Sequence, residues 1–400
     1  MKTRTDGRKG AIAPLTAILL TFLVGLMAFA IDLGYAASVQ AQLQNAADAA
    51  ALSGAERLQN LYVQYYAPGQ TQQTQIFNLA TANTTDPNGP ICTAQKFSVA
   101  NVAGGVNLQL LTSDISFSYY DGKNPFVPAQ FPTTFPNTVT VVVRRDSTAN
   151  GSLGLFFSRI FGMGSMDMKA TASATIYAGE VSSLQVIPNV NAHILPVALD
   201  VNVWTKYYNT GLSPDGTIHV GPNGNPQLQV YPFDTNTPGS FGLLDVGPPQ
   251  NNAPAFRTWI DYGETPNDIA YLLNNGLLPV SPAAPEPWKC GPGLKSTLLT
   301  DFQSQIGVPN LIPLFVPASP VPNYVAASGT GQNATYAIVG FAGVTISQAT
   351  GTGSNMDISL QPCAIVDPTS IILNPSPARP TQTNNFNTKL STFVPAKLTQ

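Results

Sequence analysis

The sequence predicts an α+β protein. One long N-terminal helix, part transmembrane and part amphipathic extension, is followed by β-rich extracytoplasmic modules with a few short helices. Residues 11–31 hold no charged side chain, and from Asp32 to Tyr66 the chain becomes rich in Ala, Gln and Leu at helical spacing. Further on, β-branched and aromatic residues alternate with Ser and Thr between Pro- and Gly-rich breaks, the pattern of strands and turns.

Residues 1–10 form a basic tail carrying Lys2, Arg4, Arg8 and Lys9. Residues 11–31 then supply the roughly 20 apolar residues that a helix needs to cross a bilayer. Leu15, Ile18, Leu19, Phe22, Leu23, Leu26, Phe29 and Ile31 are the candidate anchor. Pro14 falls in the first turn, where its missing N–H breaks no helical hydrogen bond. The next cation beyond the span is Arg57, so the positive-inside bias puts the N-terminus in the cytoplasm and residues 32–400 outside. A cleaved secretory signal is the rival reading, because Ala28-Phe29-Ala30 resembles an A-x-A cleavage site. Against it, the apolar run exceeds the usual h-region and helical periodicity continues through the site.

In residues 32–66, Val39, Leu43, Ala46, Ala50, Gly54, Leu58, Leu61 and Tyr65 recur at spacings of three and four, one stripe of an amphipathic helix. The centre of the stripe is small, and small residues let another backbone approach closely. That neighbour is either another protein's helix or the chain's own downstream module. Ala67-Pro68-Gly69 ends the helix.

The run from Arg8 to Ala55 resembles the N-terminal segment of TadG-like proteins of the tight-adherence (Flp) pilus system. The resemblance rests on Gly10, on Ile31-Asp32-Leu33-Gly34-Tyr35, and on Leu43-Gln44-Asn45-Ala46-Ala47-Asp48-Ala49-Ala50-Ala51-Leu52-Ser53-Gly54-Ala55. It implies a membrane-anchored structural or assembly component of a pilus or related secretion machine. Its helix would pack through Asp32, Gly34, Leu43, Asn45, Ala46, Asp48, Ala50 and Gly54 against other pilus proteins, and its ectodomain would dock on envelope partners. Prepilins cut by a prepilin peptidase carry Glu five residues after the cleavage Gly. Here that position is Leu15, which points away from pilin-type processing.

Charged residues make up only 10% of the chain and net charge is −3, so no basic footprint for nucleic acid exists outside the tail. The three cysteines, Cys92, Cys290 and Cys363, lie far apart without C-x-x-C spacing. In an oxidising compartment Cys290–Cys363 is the favoured disulfide, with three unpaired thiols as the alternative.

Residues 67–180 read as a first β-rich module, with strands over 114–120, 138–145 and 166–176 and a helical turn within 153–161 that packs on the sheet. The order of these segments, with Phe-Phe-x-Arg-Ile-Phe-Gly between the last two strands, also resembles exported parts of TadG-like proteins. Residues 185–366 read as a second α+β module. It has strands over 194–199, 311–316 and 335–346, and helices over 266–275 and 294–306. Residues 367–400, rich in Pro, Thr and Asn, read as a tail or a terminal extended segment.

No constellation for catalysis emerges. His193 reads as a core or edge residue and His219 as a hairpin residue, and no nucleophile or metal-protease motif accompanies them. Asp114-x-Ser116-x-Ser118 has the letters of a metal-site loop, but its serines alternate with Ile115 and Phe117 as on a strand. Gly291-Pro292-Gly293 opens a helix more readily than it cradles phosphate. No enzyme activity, cofactor, metal or small-molecule substrate is expected; membrane lipid and other pilus-assembly proteins are. The alternative is a tethered adhesin or glycan- or protein-binding module using Trp204, Tyr207, Tyr208, Trp259 and Trp288 as a platform, although these aromatics read more readily as core.

Overall fold

A computed structural model describes residues 12–231, 241–249, 252–289, 296–317, 335–351, 357–382 and 390–399. The basic tail, Cys290 and the Gly-Pro-Gly at 291–293 lie outside the described residues. The chain opens with helices α1 (Ile12–Tyr65), α2 (Gln73–Thr81) and α3 (Pro90–Val99), followed by strands β1 (Ile115–Tyr119), β2 (Thr138–Arg145) and β3 (Met168–Leu184). Then come β4 (Val197–Asp200), α4 (Val201–Thr210), β5 (Pro226–Tyr231), α5 (Ala253–Tyr262), α6 (Pro266–Asn274) and α7 (Leu299–Ser304). Strands β6 (Pro309–Val316), β7 (Thr335–Thr350), β8 (Asp357–Pro362), β9 (Ser370–Pro377) and β10 (Phe393–Leu398) close the chain. The architecture is the expected long helix followed by a β-rich region with short helices.

Helix α1 runs unbroken for 54 residues, about 80 Å at the helical rise of roughly 1.5 Å per residue. Its apolar first part is exposed, and one 18-residue window there has mean hydropathy 2.3 and none of its residues buried. Thr21 bonds back to the Ala17 carbonyl at 2.9 Å, so its hydroxyl needs no outside partner. The second part lies across the first sheet, in which β1, β2 and β3 are antiparallel neighbours. Ala46, Ala47, Ala50, Ala51 and Ala55 are fully buried in one core with Val139, Val141 and Val143 of β2 and Ala170, Ala172 and Ala174 of β3. A Cβ on Gly54 would stand 3.3 Å from the Pro90 carbonyl oxygen and 3.4 Å from Val139 Cγ1. Helix, α3 and sheet therefore meet at a residue without a side chain. Toward the helix end, Tyr65 stacks on Phe135 at 4.4 Å and Tyr62 meets Phe393 edge-on at 6.4 Å.

Several sequence expectations change here. The small-residue stripe is used internally: the sheet presents Ala and Val opposite Leu43, Ala46, Ala50 and Gly54, so that face packs on the protein's own β module rather than on a partner helix. Strand β3 runs past the expected end at 176, because successive partners pair along it. These are β2 with Met168–Thr175, β10 with Ala174–Ala178, and β9 with Tyr177–Leu184. The expected module boundary at 180 thus falls inside a strand. Residues 367–400 supply β9 and β10, which return to the first sheet, so their strands are pinned rather than a free tail.

The second sheet runs β5-β8-β7-β6-β4, with β6 and β4 parallel and the other pairs antiparallel. Its core takes in Trp204, Tyr207, Tyr208, Trp259 and Trp288. These aromatics take the core role the sequence favours over a platform; Trp288, for one, is fully buried and donates its indole N–H to the Leu277 carbonyl at 2.8 Å. Helix α6 begins on a capping box, with Thr265 and Asp268 bonding to each other's backbone N–H, which explains its sharp start.

Candidate functional site at the helix exit

A dense set of hydrogen bonds on α1 sits where its exposed part meets its packed part. Asp32 is the first charged residue after the apolar run, yet it is only 3% exposed. Its Oδ1 accepts the Phe156 N–H at 2.9 Å, and its Oδ2 accepts the Phe157 N–H at 3.0 Å. Oδ2 also takes the Ser158 N–H at 2.6 Å and the Ser158 hydroxyl at 2.7 Å. Burial alone pushes this carboxyl up, but the Ser158 hydroxyl and the three backbone N–H groups outweigh it and hold it below the usual carboxylate range, as expected for an ion that collects several donors.

The partner segment explains why it needs such an ion. Residues Ser158–Phe161 form a short 3-10 turn, and Phe157 before it offers no side-chain cap. The first N–H groups of such a turn lack local acceptors, so Asp32 caps it from 126 residues away. Gly162 closes the turn at φ +83°, where a side chain is disfavoured. Three further N–H groups bond within the loop: Gly162 N–H reaches Arg159 O at 3.0 Å, Met163 N–H reaches Ser158 O at 3.1 Å and Leu155 N–H reaches Gly164 O at 3.1 Å. Leu153 and Leu155 are buried, whereas Phe156 and Phe157 point outward and the Phe156 ring lies 5.3 Å from the Tyr35 ring. The turn expected within 153–161 therefore exists, but Phe156 and Phe157 are exposed, Phe156 beside Tyr35 of the helix, instead of packing on the sheet.

Glutamines continue the attachment. Gln40 and Gln44 donate to the Lys169 and Thr171 carbonyls at 3.0 Å and 3.3 Å, and Gln42 accepts the Gly104 N–H at 2.9 Å. Of the other candidate packing residues, Leu43, Ala46, Ala50 and Gly54 are buried, Asp48 is half-buried and accepts from Gln44 at 2.8 Å, and Gly34 and Asn45 are exposed. The anchor candidates Leu15, Ile18, Leu19, Phe22, Leu23, Leu26, Phe29 and Ile31 are all exposed.

Several charged and titratable groups elsewhere are engaged structurally. Asp114 holds Arg144 through both carboxylate oxygens, with Nε to Oδ2 at 2.9 Å. His219 Nε2 lies 2.8 Å from Asp215 on a hairpin, and the exposed His193 donates its backbone N–H to Asp367 at 3.1 Å. Among the described residues, no group of three His, Cys, Asp or Glu side chains is placed to hold a metal. Cys363 is a buried free thiol 3.4 Å from Asn60 Oδ1, and burial pushes it up to about 12. A cleft of about 370 Å³ opens beside it, lined by polar side chains such as Arg57, Asn60, Asn223 and Gln361 and by prolines such as Pro226 and Pro362.

Sequence reasoning singled out Asp32 but not its partners Phe156, Phe157 and Ser158. The available signal was a turn without a local cap together with an acid at the end of an apolar helix. Neither feature says that the two meet.

No curated protein and no solved structure matches the chain. A family model does match, over residues 10–57, with the description "Putative Flp pilus-assembly TadE/G-like". That interval holds the exposed span, the Asp32 clamp and the alanine face as far as Arg57. Over residues 10–57 the N-terminal helix is therefore similar to the TadE/G-like segment that this family model describes.

Proposed function

We propose that the protein is a single-pass, membrane-anchored structural or assembly component of a Flp pilus or related secretion machine, with its N-terminus in the cytoplasm and residues 32–400 outside. One observation carries the reading: α1 changes from apolar and unburied to packed on a β module without ending, and the change falls at Asp32. Such a helix transmits the orientation of the bilayer to the module it carries. The basic residues before the span support the direction. Because the protein's own sheet covers the alanine face, contacts with other pilus components fall to the span itself and to the outer surface of the β-rich region. The reading includes no catalytic step.

Protease protection of the full chain in intact and inverted membrane vesicles tests it. Digestion of residues 32–400 from the outer side, with an N-terminal tag protected there, is expected. Digestion of those residues only from the cytoplasmic side overturns the reading. The second reading, a tethered glycan-binding module, is favoured by the amide-lined cleft beside Asn60 and Gln361. A glycan array probed with the detergent-solubilised full chain decides it: binding lost in Asn223→Ala supports the cleft, and an array without binding removes it.

A further inference from the structure

The loop held by Asp32 exposes an apolar surface for which the attachment gives no internal use. Phe156 is 64% exposed, Phe157 39%, Met163 51% and Met166 46%. These four lie within eleven residues of sequence, and the loop is fixed in height on α1 by the clamp at Asp32. Met163 reaches back along the helix, lining the same open groove as Phe22, Leu26 and Phe29 of the apolar run. The surface is thus continuous with the span and lies at the level where the span ends.

From this we propose that residues 155–166 are an interfacial membrane foot, with Phe156, Phe157 and Met163 seated among lipid at the outer boundary of the bilayer beside α1. The inference rests on the membrane-anchor reading above. The occupant is lipid because the backbone has been made ready for it: the N–H groups of 155–158, 162 and 163 are all bonded within the protein. Unsatisfied backbone polar groups are what exclude irregular chain from a bilayer. Aromatic and thioether side chains at the end of a span suit the interface, where an apolar body meets water. Arg159, exposed in the same turn, can extend its guanidinium to lipid phosphate while its stem lies on apolar surface. A span joined to a foot sets both the depth and the tilt of the β module, whereas a span alone leaves the module free to swing about its exit.

Tryptophan quenching on the full chain tests this. The chain is reconstituted in vesicles of phosphatidylcholine and phosphatidylglycerol, a fraction of the lipid being brominated near the headgroup end of its acyl chains. Emission is read for Phe156→Trp, Met163→Trp, Phe29→Trp and Ile218→Trp against the wild-type background. Ile218 is exposed and lies beside Gly69, past the far end of α1. Quenching at 29, 156 and 163, with 218 unchanged, is expected. Quenching at 29 alone overturns the foot and leaves the anchor standing; no quenching at 29 overturns the anchor reading as well. Blue-shifted emission at 156 without bromine quenching shows a protein cover, such as a second copy of the chain, and overturns lipid as the occupant. Phe157→Trp repeats the measurement if Phe156→Trp does not fold.

Discussion

Residues 13–31 and 36–65 belong to one unbroken helix. The first stretch leaves Leu15, Ile18, Phe22 and Leu26 exposed, while the second fully buries Val39, Leu43, Ala46, Ala50 and Leu58. The first stretch is apolar on every side, whereas the second is amphipathic, with polar residues such as Gln40, Gln44, Glu56 and Arg57 beside its apolar stripe. The difference is the shape of the apolar surface. Large side chains all around a helix match a solvent of hydrocarbon, whereas a single stripe with a small-residue centre matches one flat neighbour. The sheet is that neighbour, and it presents Ala and Val where the helix presents Ala and Gly. Asp32 marks the change, because an acid buried by its own loop both ends the lipid-compatible run and begins the protein-packed one.

The largest effect that sharpens this contrast comes from truncating matching leucines in the two halves. Leu43→Ala removes a fully buried side chain and is expected to cost the β module about 2–5 kcal/mol, read as a lowered melting transition of the full chain in detergent. Leu23→Ala, in the exposed half, leaves that transition in place. Next is the close approach at Gly54. Gly54→Leu inserts volume against Pro90 and Val139 and is expected to cost about 1–3 kcal/mol by overpacking, with Gly54→Ala milder because its Cβ needs its neighbours to give only slightly. Equal melting of Gly54→Leu and wild type would break the account of helix–sheet contact.

The smallest and most local effect belongs to Asp32. Asp32→Asn is expected to speed hydrogen exchange of the 156–158 amides while leaving amides of β2 and β3 protected. Its pH dependence follows from the lowered carboxyl. The clamp contributes fully above the ordinary carboxylate range and is lost as pH falls through the lowered value in the folded protein. Acid should therefore loosen the loop before the sheet, and Asp32→Asn should abolish that early step. Exchange at 156–158 that is insensitive to both acid and substitution would remove the clamp from the account.

Much of this was legible in the sequence. Strand β2 occurs at its predicted residues 138–145, and α6 within one residue of its predicted end, because alternation, capping and Gly or Pro breaks are local signals. The uncharged apolar run and the buried stripe were legible for the same reason. The burial of Trp204, Trp259 and Trp288 was the favoured reading without being fully legible, since an aromatic residue reads alike in a core and on a platform. The return of β9 and β10 to β3 was not legible, because their Pro- and Asn-rich composition resembles that of a linker and only pairing across roughly two hundred residues fixes them.

By itself, then, the sequence determined a long helix, the point at which its surface changes character, and the strands that follow. Solvent preference and periodicity are properties of neighbouring residues. Only the tertiary structure decided that the alanine face meets the protein's own sheet, that Asp32 closes on Phe156, Phe157 and Ser158, and that a loop rich in exposed apolar side chains stands beside the end of the span. Those are contacts between distant parts of the chain. Their free energy comes from donors and surfaces that no local pattern pairs with one another.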